Sequence, residues 1–439
     1  MTSHATPWGA IRLFAGLALT AIQGMTGPLG GTALAEERDP FAPRPPLPLL
    51  RNDVAGTRQI PGYTASGVRL GAFTVHAQAT LRAEGDSNVL NRRADKRADL
   101  SGQIGAGFTA HADLGTGWVG LDASGTTTRY ARLTGQNHET FAVEAKGAVP
   151  LGTALQLGLG LTWSRKREPN YTVGAADGDS PTLYGQLGAT LGLSAGLGPS
   201  RVAAQLDLDR FDYLPVVRSG VRIDQSYRDQ RVLTARLRAE HALPAGRTLF
   251  LQGTYRWGNS LHPAPCCDRT ARGGEIVAGL RGEVTHLISA ELAAGYQWRD
   301  YRSLVLRDFR GAALRARVEW YATPLVSLAL SARRDIVDSG LPTSAGVVVD
   351  SARVQLFYEL KRNLNLVATA ALAREKYRDD AAVNLVSRTA SAGLEARLAL
   401  SNRYLVGAYA RTRNRTSDST LLPAQGAAVE GGLSLRLTL

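Results

Sequence analysis

The chain has 439 residues, 51 Lys and Arg against 38 Asp and Glu, and a formal charge of +13. Its positive charge is scattered singly through apolar segments instead of gathering in a stripe or tail, which argues against nucleic acid as a partner. No stretch approaches the length of a confident spanning helix, which excludes a helical membrane bundle.

Arg12 is the only charge before Glu36, and between them run the apolar Leu13–Met25 segment, small residues and Ala33-Leu34-Ala35. A basic start, a short apolar core and an A-x-A-like end predict a cleaved secretory signal over residues 1–35. Residues 36–66 follow as a Pro-rich periplasmic segment or linker, crowded by Pro40, Pro43, Pro45, Pro46 and Pro48, with Pro61 beyond. Proline lacks an N–H and favours extended polyproline, so no ladder strand is expected there.

From Val68 to the end, segments of about ten residues alternate apolar with polar or small, the two-residue period of a strand with two unlike faces. Leu233, Ala235, Leu237 and Ala239 alternate with Thr234, Arg236, Arg238 and Glu240; Leu433, Leu435, Leu437 and Leu439 close the chain against Ser434, Arg436 and Thr438. The uncharged stretch 181–200 follows the same period and reads as a strand running into a turn. Short turns near Asp113–Gly117, Pro150–Gly152, Leu197–Ser200, Pro244–Arg247, Thr285–Leu287, Ala322–Pro324, Leu360–Asn363 and Leu400–Asn402 alternate with longer polar loops. Short connections on one side and long ones on the other predict an all-β fold, a transmembrane antiparallel up-and-down β-barrel of about 18 strands (16–18), with short periplasmic turns and longer extracellular loops over 67–439. Tryptophans at strand ends (Trp118, Trp163, Trp257, Trp298, Trp320) with tyrosines such as Tyr184 near them fit interfacial girdles. A soluble barrel or sandwich would have to hold the charged faces unpaired in a packed core.

In a membrane the charged faces must point into the lumen. The expected pore-lining cations are Arg236, Arg238, Arg256, Arg281, Arg299, Arg315, Arg317, Arg333, Arg353, Arg397, Arg411 and Arg436. The acids on those faces are Glu240, Glu275, Glu283, Glu291, Glu319, Glu359, Glu395 and Glu430. Lysine occurs at only five positions, and an arginine surplus suits carboxylate, phosphate or sulfate, which the guanidinium fork holds bidentately. Arg and Glu are also expected to pair across neighbouring strands and brace the wall. Chemistry is otherwise sparse. His76, His111, His138, His241, His262 and His286 lack metal-ligand spacing, no G-x-S-x-G occurs, and no cofactor or metal is expected. The vicinal Cys266 and Cys267 sit in a polar Pro-rich loop, and Asp177, Asp179, Asp379 and Asp380 read as solvated loop charge.

The opening of the barrel carries a resemblance. Gly67, Val68, Arg69, Gly71 and Phe73, then Asp86 and Asn88, resemble the start of the Putative β-barrel porin 2 family, whose plan would cover about 67–439. The resemblance implies an outer-membrane barrel serving solute passage, with exopolysaccharide among the suspected cargoes, and carries no catalytic residues. The chain departs from the usual aromatic end of such barrels by closing on Leu439.

Three readings of function follow: a pore or exit duct for a polar, anionic solute, a closed barrel with surface-binding loops, and an outer-membrane hydrolase. The first is the expectation, with no enzyme activity. The expected partners are outer-membrane lipid, the barrel-assembly machinery and a polar or anionic solute or polysaccharide, in the outer membrane of a Gram-negative cell.

Overall fold

The computed structural model describes Ala55, Ile60 and residues 62–170, 178–263, 268–341, 344–378, 384–418 and 425–439. The signal segment 1–35, most of 36–61, Cys266 and Cys267, and Asp177, Asp379 and Asp380 lie outside the described residues.

Eighteen long strands make one antiparallel sheet. They are β1 (Phe73–Asp86), β2 (Asp99–Asp113), β3 (Trp118–Tyr130), β4 (His138–Leu151), β5 (Leu155–Glu168), β6 (Thr182–Leu197), β7 (Ser200–Tyr213), β8 (Gln230–Leu243) and β9 (Arg247–Ser260). There follow β10 (Ala271–Thr285), β11 (Ile288–Tyr301), β12 (Phe309–Thr323), β13 (Val326–Asp338), β14 (Gly346–Lys361), β15 (Leu364–Arg378), β16 (Asn384–Ala399), β17 (Tyr404–Ser417) and β18 (Gly426–Thr438). Each pairs with its chain neighbour, and β1 closes the ring on β18 from Gln78 opposite Thr438 to Asp86 opposite Glu430. An even count brings both ends to the short-turn side, where closure leaves no open edge.

The expected turns and loops fall where the alternation breaks, but the first barrel strand starts later than Val68. Val68–Leu70 is a three-residue strand folded back on Phe73–Val75 through Gly71 at φ 61°. Gly67, at φ 75°, lies against His76, and a Cβ there would come within 2.6 Å of the imidazole. The opening glycines are thus needed for backbone shape.

The apolar surface faces outward. Leu81, Ile104, Leu161, Leu187, Leu208, Leu237, Ile276, Leu292, Leu372, Leu394 and Leu433 are exposed, as a lipid-facing belt requires. Trp163 and Trp257 flank this belt near the loop ends, and Trp320, Tyr358 and Tyr404 near the turn ends. Trp118 and Tyr184 depart from the expected girdle. By register both turn inward, Trp118 against His111 and Tyr184 stacked on Tyr213, because each falls on the polar parity of its strand.

One hairpin leaves the wall. The β12–β13 ladder ends at Leu314 opposite Arg334, although β13 stays paired with β14 up to Asp338 opposite Gly346. Gln297 of β11 bridges the gap: its amide donates to the Ala312 and Arg334 carbonyls at 2.9 and 3.3 Å and accepts from the Ile336 N–H at 3.1 Å. The tip then leans inward at the loop side, toward the loops of β7–β8 and β9–β10. Tyr227 donates to the Gly340 carbonyl (2.6 Å) and Arg269 to that of Ser339 (2.5 Å). Val337 and Val347 of the hairpin form a buried apolar cluster with Tyr377 and Leu385. At the opposite mouth, Ala55 is held by the Pro324 carbonyl and the Ser327 hydroxyl.

Candidate functional site: the charged inner wall

Strand parity decides which side chains meet inside. In β8, Leu237 is exposed while Arg236, Arg238 and Glu240 take the other face. Following the ladder from strand to strand, all twelve arginines and eight glutamates expected inside share the face turned away from the exposed leucines. In a closed barrel that face is the inner one.

Pairing runs between strands, as expected, and also along one strand between residues two apart. Arg238 meets Glu240 at 2.8 Å, Arg317 meets Glu319 at 2.9 Å, Arg397 meets Glu395 at 2.6 Å, and Arg333 meets Asp335. Residues i and i+2 of a strand lie on one face at a separation that a bent arginine spans. True cross-strand pairing occurs at Arg411 and Glu430, which stand opposite each other. Arg315 reaches over the small β11 residues to Glu275 at 2.6 Å, and Arg281 shares Glu240 at 3.5 Å. Arg236, Arg353 and Arg436 also have partners.

The members of these pairs are not equally wet. The Arg317 side chain is 40% exposed and that of Glu319 1%; for Arg411 and Glu430 the values are 33% and 3%. Tyr321 donates a further hydrogen bond to Glu319 at 2.7 Å, holding the carboxylate against the wall. The solvent-facing member is the guanidinium in these two pairs and in those of Arg281, Arg315 and Arg333. The order reverses in Arg397–Glu395, at Lys146 with Glu144, and at the hairpin tip, where Asp338 is more exposed than Arg256 or Arg299, which it accepts from at 2.7 Å each. Arg315 and Arg333 stand directly opposite one another, with Arg317 beside them, so β12 and β13 gather three guanidinium groups, as β17 does with Arg411, Arg413 and Arg415. A neutral-to-acidic stretch lies on β6 and β7, where Asp207 accepts from Thr190 (2.7 Å) and Asp209 from Gln186 (2.9 Å).

Several participants escaped the sequence reading. Asp338, Gln297, Arg413 and Arg415 are all buried or tied into the inner network, with Arg415 on Glu375 at 2.6 Å and Arg413 on Asp86 at 3.2 Å. Arg413 and Arg415 continue the parity of Arg411 and were within reach of it; Asp338 has the opposite parity and enters only because its hairpin turns inward. Around the loops, Arg228 is buried on Glu168 at 2.8 Å.

Catalytic geometry is sparse. No group of three or more His, Cys, Asp or Glu that could hold a metal occurs among the described residues. Ser200 contacts His241 at 2.9 Å on an exposed turn rim. No carboxylate bonds that imidazole among the described residues.

A closed antiparallel barrel with an apolar, aromatic-flanked exterior and an ionic interior defines an outer-membrane β-barrel of the porin type. The chain belongs to the family described as Putative beta-barrel porin 2, whose model matches residues 60–437. No curated protein matches the sequence. Among solved structures it is similar to the outer membrane protein OpdK of Pseudomonas aeruginosa, with 13% identity, a TM-score of 0.46 and coverage of 83% of this chain and 99% of that one. It is also similar to OccK3 (OpdO) of the same organism, with 16% identity, a TM-score of 0.45 and coverage of 83% and 95%. For OccK2 (OpdF), solved in complex with glucuronate, the values are 12% identity, a TM-score of 0.46 and coverage of 84% and 98%.

Proposed function

We propose that this barrel is a passive pore that favours small anionic solutes. The observation that carries the reading is the unequal exposure within the ion pairs of Arg281, Arg315, Arg317, Arg333 and Arg411, where the guanidinium is the wetter partner and the carboxylate lies behind it. A wall that is nearly balanced in charge still selects by the sign its solvent-facing groups present. Arg315, Arg317 and Arg333 lie together on that face, and Arg353 lies one strand further on. The hairpin tip leaning inward at the loop side favours a small solute over a polymer, so exopolysaccharide export is the weaker version of this reading. Cleavage after Ala35, a periplasmic 36–66 segment and delivery by the barrel-assembly machinery complete the proposed route to the membrane.

Planar-bilayer recording across a salt gradient tests it. The wild-type reversal potential should lie on the anion side, and the R317S/R333S double variant should move it toward zero while still conducting. An unchanged reversal potential would remove the anion preference. The absence of any conductance would favour a closed barrel that works through its loops.

A further inference from the structure

The outer wall near the loop ends is not uniform. On β5, β9 and β11 the interfacial positions three to five residues from the loop end carry Trp163, Trp257 and Trp298. On β13 to β16 the positions four residues from the loop end carry charge: Arg334, Asp350, Arg374 and Arg388. These four are consecutive register partners, forming one row across four strands on the face that bears the exposed leucines. Arg334 is satisfied by Asp350 at 2.5 and 3.0 Å, and Arg388 meets the loop residue Asp418 at 2.8 Å. Arg374 stands directly opposite Arg388 and is exposed, with no ion pair among the described residues. Lys376, two residues further toward the loops, adds a further positive charge to the same face.

Like charges directly opposite each other destabilise a sheet, and arginine on a lipid-facing wall costs more the deeper it sits. At the interface that cost is offset if an anion bridges the two guanidinium groups, each of which can hold a phosphate bidentately. Just beneath the row the wall is set back. A groove of about 1010 Å³ opens there, with Ala316, Ala332, Ala352 and Ala390 in its floor and Leu314 and Leu372 beside them. The inward lean of the β13–β14 hairpin begins at the same level, at Arg334. A basic rim over an apolar groove, open sideways to the bilayer, is complementary to a molecule with a phosphate above and a hydrocarbon chain below.

We infer that this groove binds one phosphate-bearing lipid of the outer leaflet, its phosphate across Arg374 and Arg388 and an acyl chain along the alanine floor. The phosphate row lies on the outer face, while Arg315 and Arg333, which also line the groove, belong to the inner wall.

Native mass spectrometry of the detergent-purified barrel, titrated with diphosphorylated lipid A, tests the assignment. One lipid should be retained per barrel. Binding should weaken roughly thirtyfold in the R374S/R388S variant and comparably for the same lipid stripped of its phosphates. The R374K/R388K variant, which keeps the charge but not the guanidinium fork, should bind between wild type and the serine variant, and heat-modifiable migration on gels confirms that each variant is folded. Conductance should be unchanged in all of them, so this test fails independently of the pore reading. Equal retention by wild type and the serine variant, equal retention of the dephosphorylated lipid, or saturation by inorganic phosphate with no lipid held would each overturn the inference.

Discussion

Asn88 shows how much one side chain can hold at the seam of the barrel. It is fully buried; its amide donates to the Arg92 and Ala427 carbonyls at 2.8 and 3.1 Å and accepts from the Arg92 N–H at 3.0 Å, while its own N–H is capped by Asp86 at 2.7 Å. The Asp-x-Asn pair that follows the first strand is therefore a staple between the first and last strands. Asn88→Ala would strand those groups and should cost about 1–3 kcal/mol, read as a lower urea midpoint in vesicles. Asp179 does similar work among the loops. It accepts from Ser219 N–H at 2.7 Å and Arg92 at 3.0 Å, and its carbonyl accepts from Gln136 at 2.9 Å. The Ser219 hydrogen bond holds its carboxyl below the ordinary range; burial opposes it, and Arg92 adds to the lowering. A depressed folded pKa stabilises the charged form, so this link is complete above about pH 4 and is lost as pH falls through the lowered value. Loop cleavage by pepsin in intact proteoliposomes should rise steeply over that acid range and less so in Asp179→Asn, whose link is already broken. What could be read at this scale was the parity of arginines and glutamates. The seam and loop staples could not, because their partners lie up to 339 residues apart.

At the scale of the element, the β13–β14 hairpin leans from the wall toward β8, β9 and β11 at the loop side. Its tip is anchored by Asp338, which accepts from Arg256 and Arg299 at 2.7 Å and from Gln230 at 3.2 Å, bringing together β8, β9 and β11. Alternation along β13 assigns Asp338 to the outside, and that reading fails because the ladder to β12 ends at Arg334 and the strand above it rolls inward. Nothing in a two-residue period encodes such a departure; it depends on Gln297 standing in for the missing ladder bonds. Asp338→Asn keeps the shape but removes the charge from both arginine contacts, each worth about 1.5–3 kcal/mol and discounted here because the group is partly wet. The tip should loosen, so single-channel recordings should show larger and noisier conductance than wild type. Channels indistinguishable from wild type would mean that the tip is held without this anchor.

For the whole molecule, the strand count and the sides of the turns were legible because a barrel repeats one rule eighteen times, and local errors at either end do not disturb the rest. The rule is physical: hydrocarbon outside admits only apolar side chains, and closure satisfies every backbone group. It makes a sharp demand on two residues of one strand. Leu237 and Thr234 are both in β8, three residues apart, with Leu237 exposed and Thr234 opposite Asp207 on the inner wall. Leu237 lies near the middle of its strand, where an arginine facing lipid costs about 2–4 kcal/mol. Thr234→Arg would meet lumen water, with Asp207 opposite on one neighbouring strand and Arg256 on the other, so attraction and repulsion partly offset and its cost should stay below that of an arginine facing lipid. Unfolding by urea in lipid vesicles should therefore separate the two variants clearly, with L237R the less stable. If both lose stability equally, or T234R loses more, then Leu237 does not face lipid and the division of the barrel into a lipid face and a water face is wrong.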